Sequence, residues 1–228
     1  FEVLLGTNGK EIEEKIKSQI TEGDFSGEHG RKFRLAVIND KARRECSSQV
    51  LKHYDQVIKI LQNRGAIVGT YNPKIDFAEI SKRMGDIIAV EAYHHHGHLY
   101  ENKANPMDED VRQRVLKVKG YSAARYLKLL RDREESKREF LNSFERFDAL
   151  ITPTTTSEAP LVCNVDQAVS PGYFTRPANY FDMCALSLPM GLSKNGLPLS
   201  LQISARPVSE LTAIRIGVEV ERQIGSIY

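Results

Sequence analysis

The chain has 228 residues, 41% of them hydrophobic and 27% charged, so it can bury a substantial core as one large α/β domain or two small ones. Its formal charge of +2 comes from 32 basic and 30 acidic residues spread along the chain. This distribution gives no patch of one sign for a nucleic acid or an anionic membrane and favours a small, roughly neutral partner.

The first thirty residues read as a helix end, a charged helical segment and a loop. Phe1 to Gly6 has the pattern of a last helical turn with a glycine stop. The helix lacks its beginning and there is no initiator Met, so we expect the chain to be a piece of a longer one. "EIEEKIKSQI" is amphipathic, and a Gly-rich hydrophilic loop runs from Gly23 to Gly30.

The next segment predicts a βαβ unit. "FRLAVI", from Phe33 to Ile38, reads as a buried strand, and residues 45–64 carry apolar side chains at helical spacing. Gly65 closes that helix, and "AIVGTY" follows as a second strand. The two strands should be parallel with a right-handed crossover.

The middle of the chain is helical. The pattern predicts a helix from Asp76 to about Tyr100, a short helix within "NPMDEDVRQRVLKV", and a helix of about seven turns from Tyr121 to Phe147. A strand from Ala149 to Thr152 then breaks at Pro153 into a Thr/Ser loop.

The last third begins with a helix at Thr175 and continues as strand, turn and strand up to Ser204. We expect Gly191 and Gly196 at the corners, because glycine tolerates positive φ. Pro189 should stand at a strand end, since it cannot donate a ladder hydrogen bond. A closing amphipathic helix from Ser209 to about Gln223 completes the elements. Strands alternating with helices predict a layered α/β sheet in a single domain over residues 1–228.

Several motifs carry a resemblance to a known family. They are "FERFDALITPTTTSEAP" and "FTRPANYFDMCALSLPMGLSKNGLPLSLQISARPVSELTAIRIGVEVE". In this order they resemble the C-terminal half of the amidase signature family, which includes bacterial amidases, fatty acid amide hydrolase and the A subunit of glutamyl-tRNA amidotransferase. The resemblance covers the chain from about Phe33 and implies that "ALSLPMG" and "LSLQIS" are adjacent strands of one mixed sheet.

The resemblance implies cofactor-free hydrolysis of a linear amide. In the family a serine nucleophile, a second serine and a lysine lie in a Gly/Ser-rich segment and form an acyl-enzyme. The present sequence has no such segment, so we assign no catalytic residue, cofactor or metal to it. Two alternatives remain open: an amidotransferase A-type subunit that releases ammonia for a partner, and a non-catalytic scaffold.

Expectations about assembly and location follow from surface and composition. Apolar surface left uncovered by the absent segment should make the chain oligomerise or bind a complementing segment. The three cysteines are far apart and odd in number, which argues against a disulfide framework and for a reducing, cytoplasmic compartment. No apolar run reaches the ~20 residues of a membrane span.

Arg133 is the most informative candidate binding residue. It lies on the apolar stripe of the long helix, so its charge needs a partner. The sequence offers Glu91, at a matching position of the preceding long helix. The alternatives are that Arg133 faces the substrate, as the resemblance to the amidotransferase subunit implies, or that it is solvent-exposed.

Other candidates lie near strand and helix ends. Thr154 and Thr155 stand in the loop after a strand, where α/β sheets commonly bind ligands, although such loops are often plain turns. By the resemblance, Tyr173 and Phe174 line a pocket, and local packing is the alternative. Two further features are the His94 and His98 pair, interpreted as a metal site or as a pocket-rim or solvated cluster, and Ser187, which a buried strand should exclude as a nucleophile.

Overall fold

The structure is a computed structural model that describes residues 14, 25, 30–166 and 171–224. The predicted helix end at 1–6 and nearly all of the charged segment at 11–20 and of the Gly-rich loop lie outside these residues. The strands are β1 (Arg34–Val37), β2 (Ile67–Thr70), β3 (Ala149–Pro153), β4 (Cys184–Leu192) and β5 (Pro198–Ala205).

These strands form one mixed sheet in the order β2-β1-β3-β5-β4. β1 pairs in parallel with β2 and with β3, whereas β5 pairs antiparallel with both β3 and β4. The parallel βαβ unit and the adjacency of the last two strands are therefore confirmed. So is the predicted fold class, a mixed sheet with helices.

The predicted helices occur in the predicted order, and one short helix that was not predicted, Asp40–Arg44, precedes them. Most begin with a side-chain cap, for example Asp76, whose carboxylate accepts the Glu79 N–H at 2.8 Å. The helices are α1 (Asp40–Arg44), α2 (Ser48–Asn63), α3 (Phe77–Glu101), α4 (Glu109–Leu116), α5 (Ala123–Ser143), α6 (Arg176–Tyr180) and α7 (Glu210–Ile224), with a 3-10 turn at Val162–Asn164.

Helices α2 and α7 pack on the apolar face of the sheet. Tyr54 of α2 is buried; its hydroxyl donates to the Ile151 carbonyl at 2.9 Å and accepts the Ile38 N–H at 3.3 Å. In α7, a Cβ on Gly217 would lie 2.5 Å from the Leu186 side chain. The helices therefore lie tightly against β1, β3 and β4.

An aromatic cluster joins α5 to its neighbours. We define it as Tyr71, Phe140, Phe144, Phe147 and Phe181. Phe140 stacks on Phe181 with ring centroids 4.1 Å apart. Tyr71 lies edge-on to Phe140 and Phe144, each at 5.5 Å. The cluster connects the residue after β2, the end of α5 and the residue after α6.

Helix α5 ends earlier than the sequence pattern predicts. Its last helical residue is Ser143, and Phe144 is the C-cap. Phe147, which was predicted to be helical, lies in a turn closed by its N–H on the Phe144 carbonyl at 2.9 Å. The aromatic spacing continues beyond the helix because the turn also points Phe147 into the cluster.

The β4–β5 hairpin confirms the positive φ of both glycines but places Gly191 and Pro189 differently from the prediction. Gly196, with φ of +73°, lies in the turn between the strands, whereas Gly191, with φ of +144°, lies inside β4 next to a bulge. Pro189 does not end a strand; it lies inside β4, beside a bulge between Pro189 and Gly191. The fold tolerates it because β4 is an edge strand, where a missing N–H breaks no second ladder.

Within the described residues, none of the helices combines the length and the apolar composition that crossing a bilayer requires.

Candidate functional site

Polar side chains cross three neighbouring strands on the sheet face opposite α2 and α7. Gln202 of β5 stands in register with Thr152 of β3 on one side and Ser187 of β4 on the other. Directly opposed residues of an antiparallel pair point to the same face. Thr154, directly after β3, and Ser204 of β5 each lie two positions further along the chain. Together these five residues form what we call the polar row.

The polar row runs from buried to exposed. Thr152, Gln202 and Ser204 are each 5% exposed or less, whereas Ser187 is exposed. The hydroxyls of Thr154 and Ser187 are 2.8 Å apart and share a hydrogen bond. Ser187 therefore does not lie buried as predicted: β4 is at the sheet edge, and its polar-row face is open.

Gln202 holds the buried end of the row. Its Nε2 donates to the Phe174 carbonyl at 2.9 Å and to the Ser204 hydroxyl at 3.2 Å. The Thr152 hydroxyl is shielded from solvent and has no hydrogen-bond partner among the described residues. The side-chain amide of Gln202 thus anchors Phe174, in the segment before α6, to the sheet.

The loop from Thr154 to Glu158 is held by defined hydrogen bonds. The Thr155 hydroxyl donates to the Ser157 carbonyl at 2.8 Å. Asn195, in the β4–β5 turn, donates through Nδ2 to Glu158 at 2.7 Å. These bonds fix the loop against the hairpin. The two predicted hydroxyls point to different partners: Thr154 joins the polar row, and Thr155 stabilises its own loop.

Tyr173 and Phe174 occupy different environments. Phe174 is buried and lies edge-on to Phe77 at 5.6 Å. Tyr173 is half-buried and lines a cavity of about 180 Å³ that also contains Lys41 and Asp76. Burial raises the pKa of Tyr173 to about 12, so its hydroxyl stays protonated at neutral pH. Phe174 packs locally and Tyr173 faces a cavity, while substrate contact by either stays a prediction.

Arg133 does not pair with Glu91. Its Nε donates to the Tyr180 carbonyl and its Nη2 to the Asn179 carbonyl, both at 3.0 Å, and the same Nη2 contacts the Asp182 carboxylate. Glu91 instead accepts a hydrogen bond from Tyr126 at 3.0 Å. The arginine therefore clamps α5 to the end of α6.

The Asp182 carboxylate contacts two cationic side chains, Arg133 and Lys137. Lys137, one turn after Arg133, also binds its carboxylate. Burial raises the pKa of Asp182, but the Lys137 hydrogen bond and the charge of Arg133 outweigh burial, so the pKa lies below its ordinary value. The charge of Arg133 was predicted to need a partner, and Glu91 was the candidate. The partner lies after α6 rather than on α3.

The histidine cluster forms no metal centre in the described part of the chain. His94 and His98 are exposed on α3, and no group of three potential His, Cys, Asp or Glu ligands converges within residues 30–166 and 171–224. The reading as a solvated cluster fits this placement.

Sequence reasoning missed Thr152, Gln202 and Ser204. The signal was present in "LSLQIS", where polar residues alternate with Leu and Ile. The segment was predicted to be a strand, but no polar face was assigned to it. Period-two alternation of this kind indicates one apolar face and one polar face.

Comparisons with known proteins support the same fold and lineage. A family model described as Amidase matches residues 9–213. The mitochondrial A subunit of glutamyl-tRNA(Gln) amidotransferase from Drosophila pseudoobscura pseudoobscura is 38% identical over 109 residues, which is 42% of this chain and 22% of that protein. A fatty acid amide hydrolase from Medicago truncatula is 31% identical over 134 residues, 55% of this chain and 22% of that protein.

A solved structure described as an amidase superposes with a TM-score of 0.73 at 18% identity, covering 85% of this chain and 46% of that one. The chain thus spans less than half of the amidase structure, and the matched region is about a quarter or less of the two relatives.

Proposed function

This chain belongs to the amidase signature family, and on that premise we propose that it is the C-terminal portion of an amidase-type C–N hydrolase acting on a linear amide. The match to the family model over residues 9–213 carries the proposal. The serine acyl-enzyme chemistry of the family would operate in the complete protein, without a metal or an organic cofactor.

The polar row supports a role in the wall of the substrate pocket. Hydroxyl groups both donate to an amide carbonyl and accept from an amide N–H, so Thr154 and Ser187 suit an amide ligand. Both lie at the open end of the row, and Gln202 fixes the backbone of Phe174 beside them. Thr154 would thus contact substrate, while Thr155 and Phe174 would shape the pocket.

The catalytic groups would come from outside this sequence. None of its serines stands in a Gly-Ser-Ser-Gly or G-x-S-x-G context. Strand β4 has no outer strand partner among the described residues, and Ala185, Ser187 and Pro189 are exposed on its polar-row face. A further segment of a longer protein, or a complementing chain, would pack against this edge and carry the catalytic serines and lysine.

We expect the chain by itself to hydrolyse no amide and to react with no serine-directed probe. The reason is that a serine needs an adjacent base or a lowered pKa to attack an amide. The measurement is incubation of purified protein with aliphatic and aromatic amides and, separately, with a fluorophosphonate, followed by intact mass.

An authentic serine hydrolase serves as the positive control, and the heat-denatured chain gives the background labelling. Turnover above that background, or stoichiometric labelling of the folded chain alone, would refute the expectation.

An amidotransferase A-type subunit is the second candidate, favoured by the identity with the Drosophila protein. Such a protein would pass ammonia to a partner instead of releasing it. In the complete protein, ammonia release from a simple amide without any partner favours the hydrolase. Release that depends on an added partner chain favours the amidotransferase.

A further inference from the structure

A second cavity lies at the end of the sheet where β1 and β3 begin and β5 ends. Its volume is about 720 Å³. Arg34 opens β1, Asp148 directly precedes β3 and Arg206 directly follows β5, and all three line it. Thr154 is at the other end of β3, roughly 20 Å away at about 3.3 Å per residue.

Arginines dominate the lining of this cavity. We call it the arginine cavity after Arg31, Arg34, Arg146 and Arg206. Asp148 is one of two carboxylates in the lining, and its oxygens are already engaged. Arg31 donates to them at 2.8 and 2.5 Å, and the Arg34 backbone N–H donates at 2.7 Å.

The other guanidinium groups have no carboxylate within ion-pair distance among the described residues. Arg206 donates to the Phe144 carbonyl at 3.0 Å, and the Arg146 guanidinium lies 4.9 Å from the Phe147 ring centroid. The Nε of Arg34 is shielded from solvent and has no described hydrogen-bond partner. A buried donor without an acceptor is costly, so the Nε of Arg34 would be stabilised by an anionic acceptor in the cavity, and the charges of Arg146 and Arg206 would attract one.

We propose that the arginine cavity binds a small oxyanion, a phosphate or carboxylate group. Planar guanidinium groups match the oxygens of both groups with paired, charge-assisted hydrogen bonds. The volume lies in the range of small-molecule sites. Four arginines against Asp148 and Glu145 leave the lining positive. The proposal does not depend on the amide pocket, which uses the other end of β3.

The test is isothermal titration of the full 228-residue chain with inorganic phosphate and, separately, with succinate, at constant ionic strength. We expect saturable binding of at least one of them. Arg146→Gln should weaken it about tenfold or more, the loss of one charge-assisted hydrogen bond. Arg34→Gln should do the same. Arg138→Gln, an exposed site on α5 outside the cavity lining, is the charge-matched control and should leave it unchanged.

The two probes separate the possible ligands. Binding of phosphate alone assigns a phosphate group, binding of succinate alone a carboxylate, and binding of both a general oxyanion site. Absence of saturable binding with either probe overturns the proposal. Equal weakening by Arg138→Gln and Arg146→Gln also overturns it, because the effect would then be one of net charge. Circular dichroism of each variant confirms that it is folded.

Discussion

Replacing Phe144 with alanine is expected to lower the free energy of unfolding by about 3 to 5 kcal/mol. Phe144 is fully buried and lies 5.1 Å from Phe140 and 5.7 Å from Phe147, measured between ring centroids. Its loss removes apolar contacts and leaves a cavity where α5, the end of β2 and the end of α6 meet. Denaturant-induced unfolding of the variant and the parent chain measures the change.

Leu127→Ala is the matched control for this truncation. Leu127 lies on the same helix and is 62% exposed, so its replacement should change stability by less than about 0.5 kcal/mol. A Phe144→Ala cost no larger than that of the control would mean that the aromatic cluster does not hold α5 in place.

Replacing Arg133 with methionine is expected to cost about 2 to 3 kcal/mol. The substitution preserves the apolar stem but leaves the Tyr180 and Asn179 carbonyls and the Asp182 carboxylate without this donor. The cost falls below that of a fully buried pair because the Asp182 side chain is 43% exposed. Denaturant midpoints measure it, and Arg138→Met, an exposed position of the same helix, is the control.

Two double-mutant cycles identify the partner of Arg133. Asp182→Asn combined with Arg133→Met should show coupling of about 1 kcal/mol or more, because the pair is in contact. Asn suits the position, since Asp182 has φ of +53°. Glu91→Gln combined with Arg133→Met should be additive. Coupling to Glu91 and none to Asp182 would restore the pairing predicted from the sequence.

The contribution of Asp182 to the stability of the folded chain should depend on pH. Because the pKa of Asp182 is lowered in the folded state, its stabilisation is present above the unfolded value of about 3.9 and is lost as pH falls through the folded pKa. The stability difference between the parent chain and Asp182→Asn should thus be constant near neutral pH and shrink below about pH 4.

The spacing of apolar residues predicted the helices and strands well, because burial of one face places apolar side chains at intervals set by helix or strand geometry. The strand at Phe33–Ile38 and the helix after Asp76 follow from apolar spacing and a cap, and the structure confirms both. The end of α5 could not be read in this way. Phe147 keeps the aromatic spacing although the backbone has already left the helix.

The predictions were wrong or incomplete where the environment of a residue depends on neighbours that are distant in sequence. Pro189 is tolerated inside β4 because β4 is an edge strand, and edge position is a property of the whole sheet. The charge of Arg133 was expected to need a partner, and the spacing of residues along the sequence did not separate Glu91 from Asp182 as that partner. The polar row was missed for a related reason: Thr152, Gln202 and Ser187 become one feature only through the strand register.

The most direct test of the proposed function is to locate the nucleophile in the complete protein. The reading frame upstream of Phe1 is determined, the full-length product is treated with a fluorophosphonate, and the labelled peptide is mapped by mass spectrometry. We predict labelling of one serine in a Gly/Ser-rich segment that also contains a lysine and lies outside the 228 residues. Labelling of a serine within them, or an upstream frame without such a segment, would contradict the proposal.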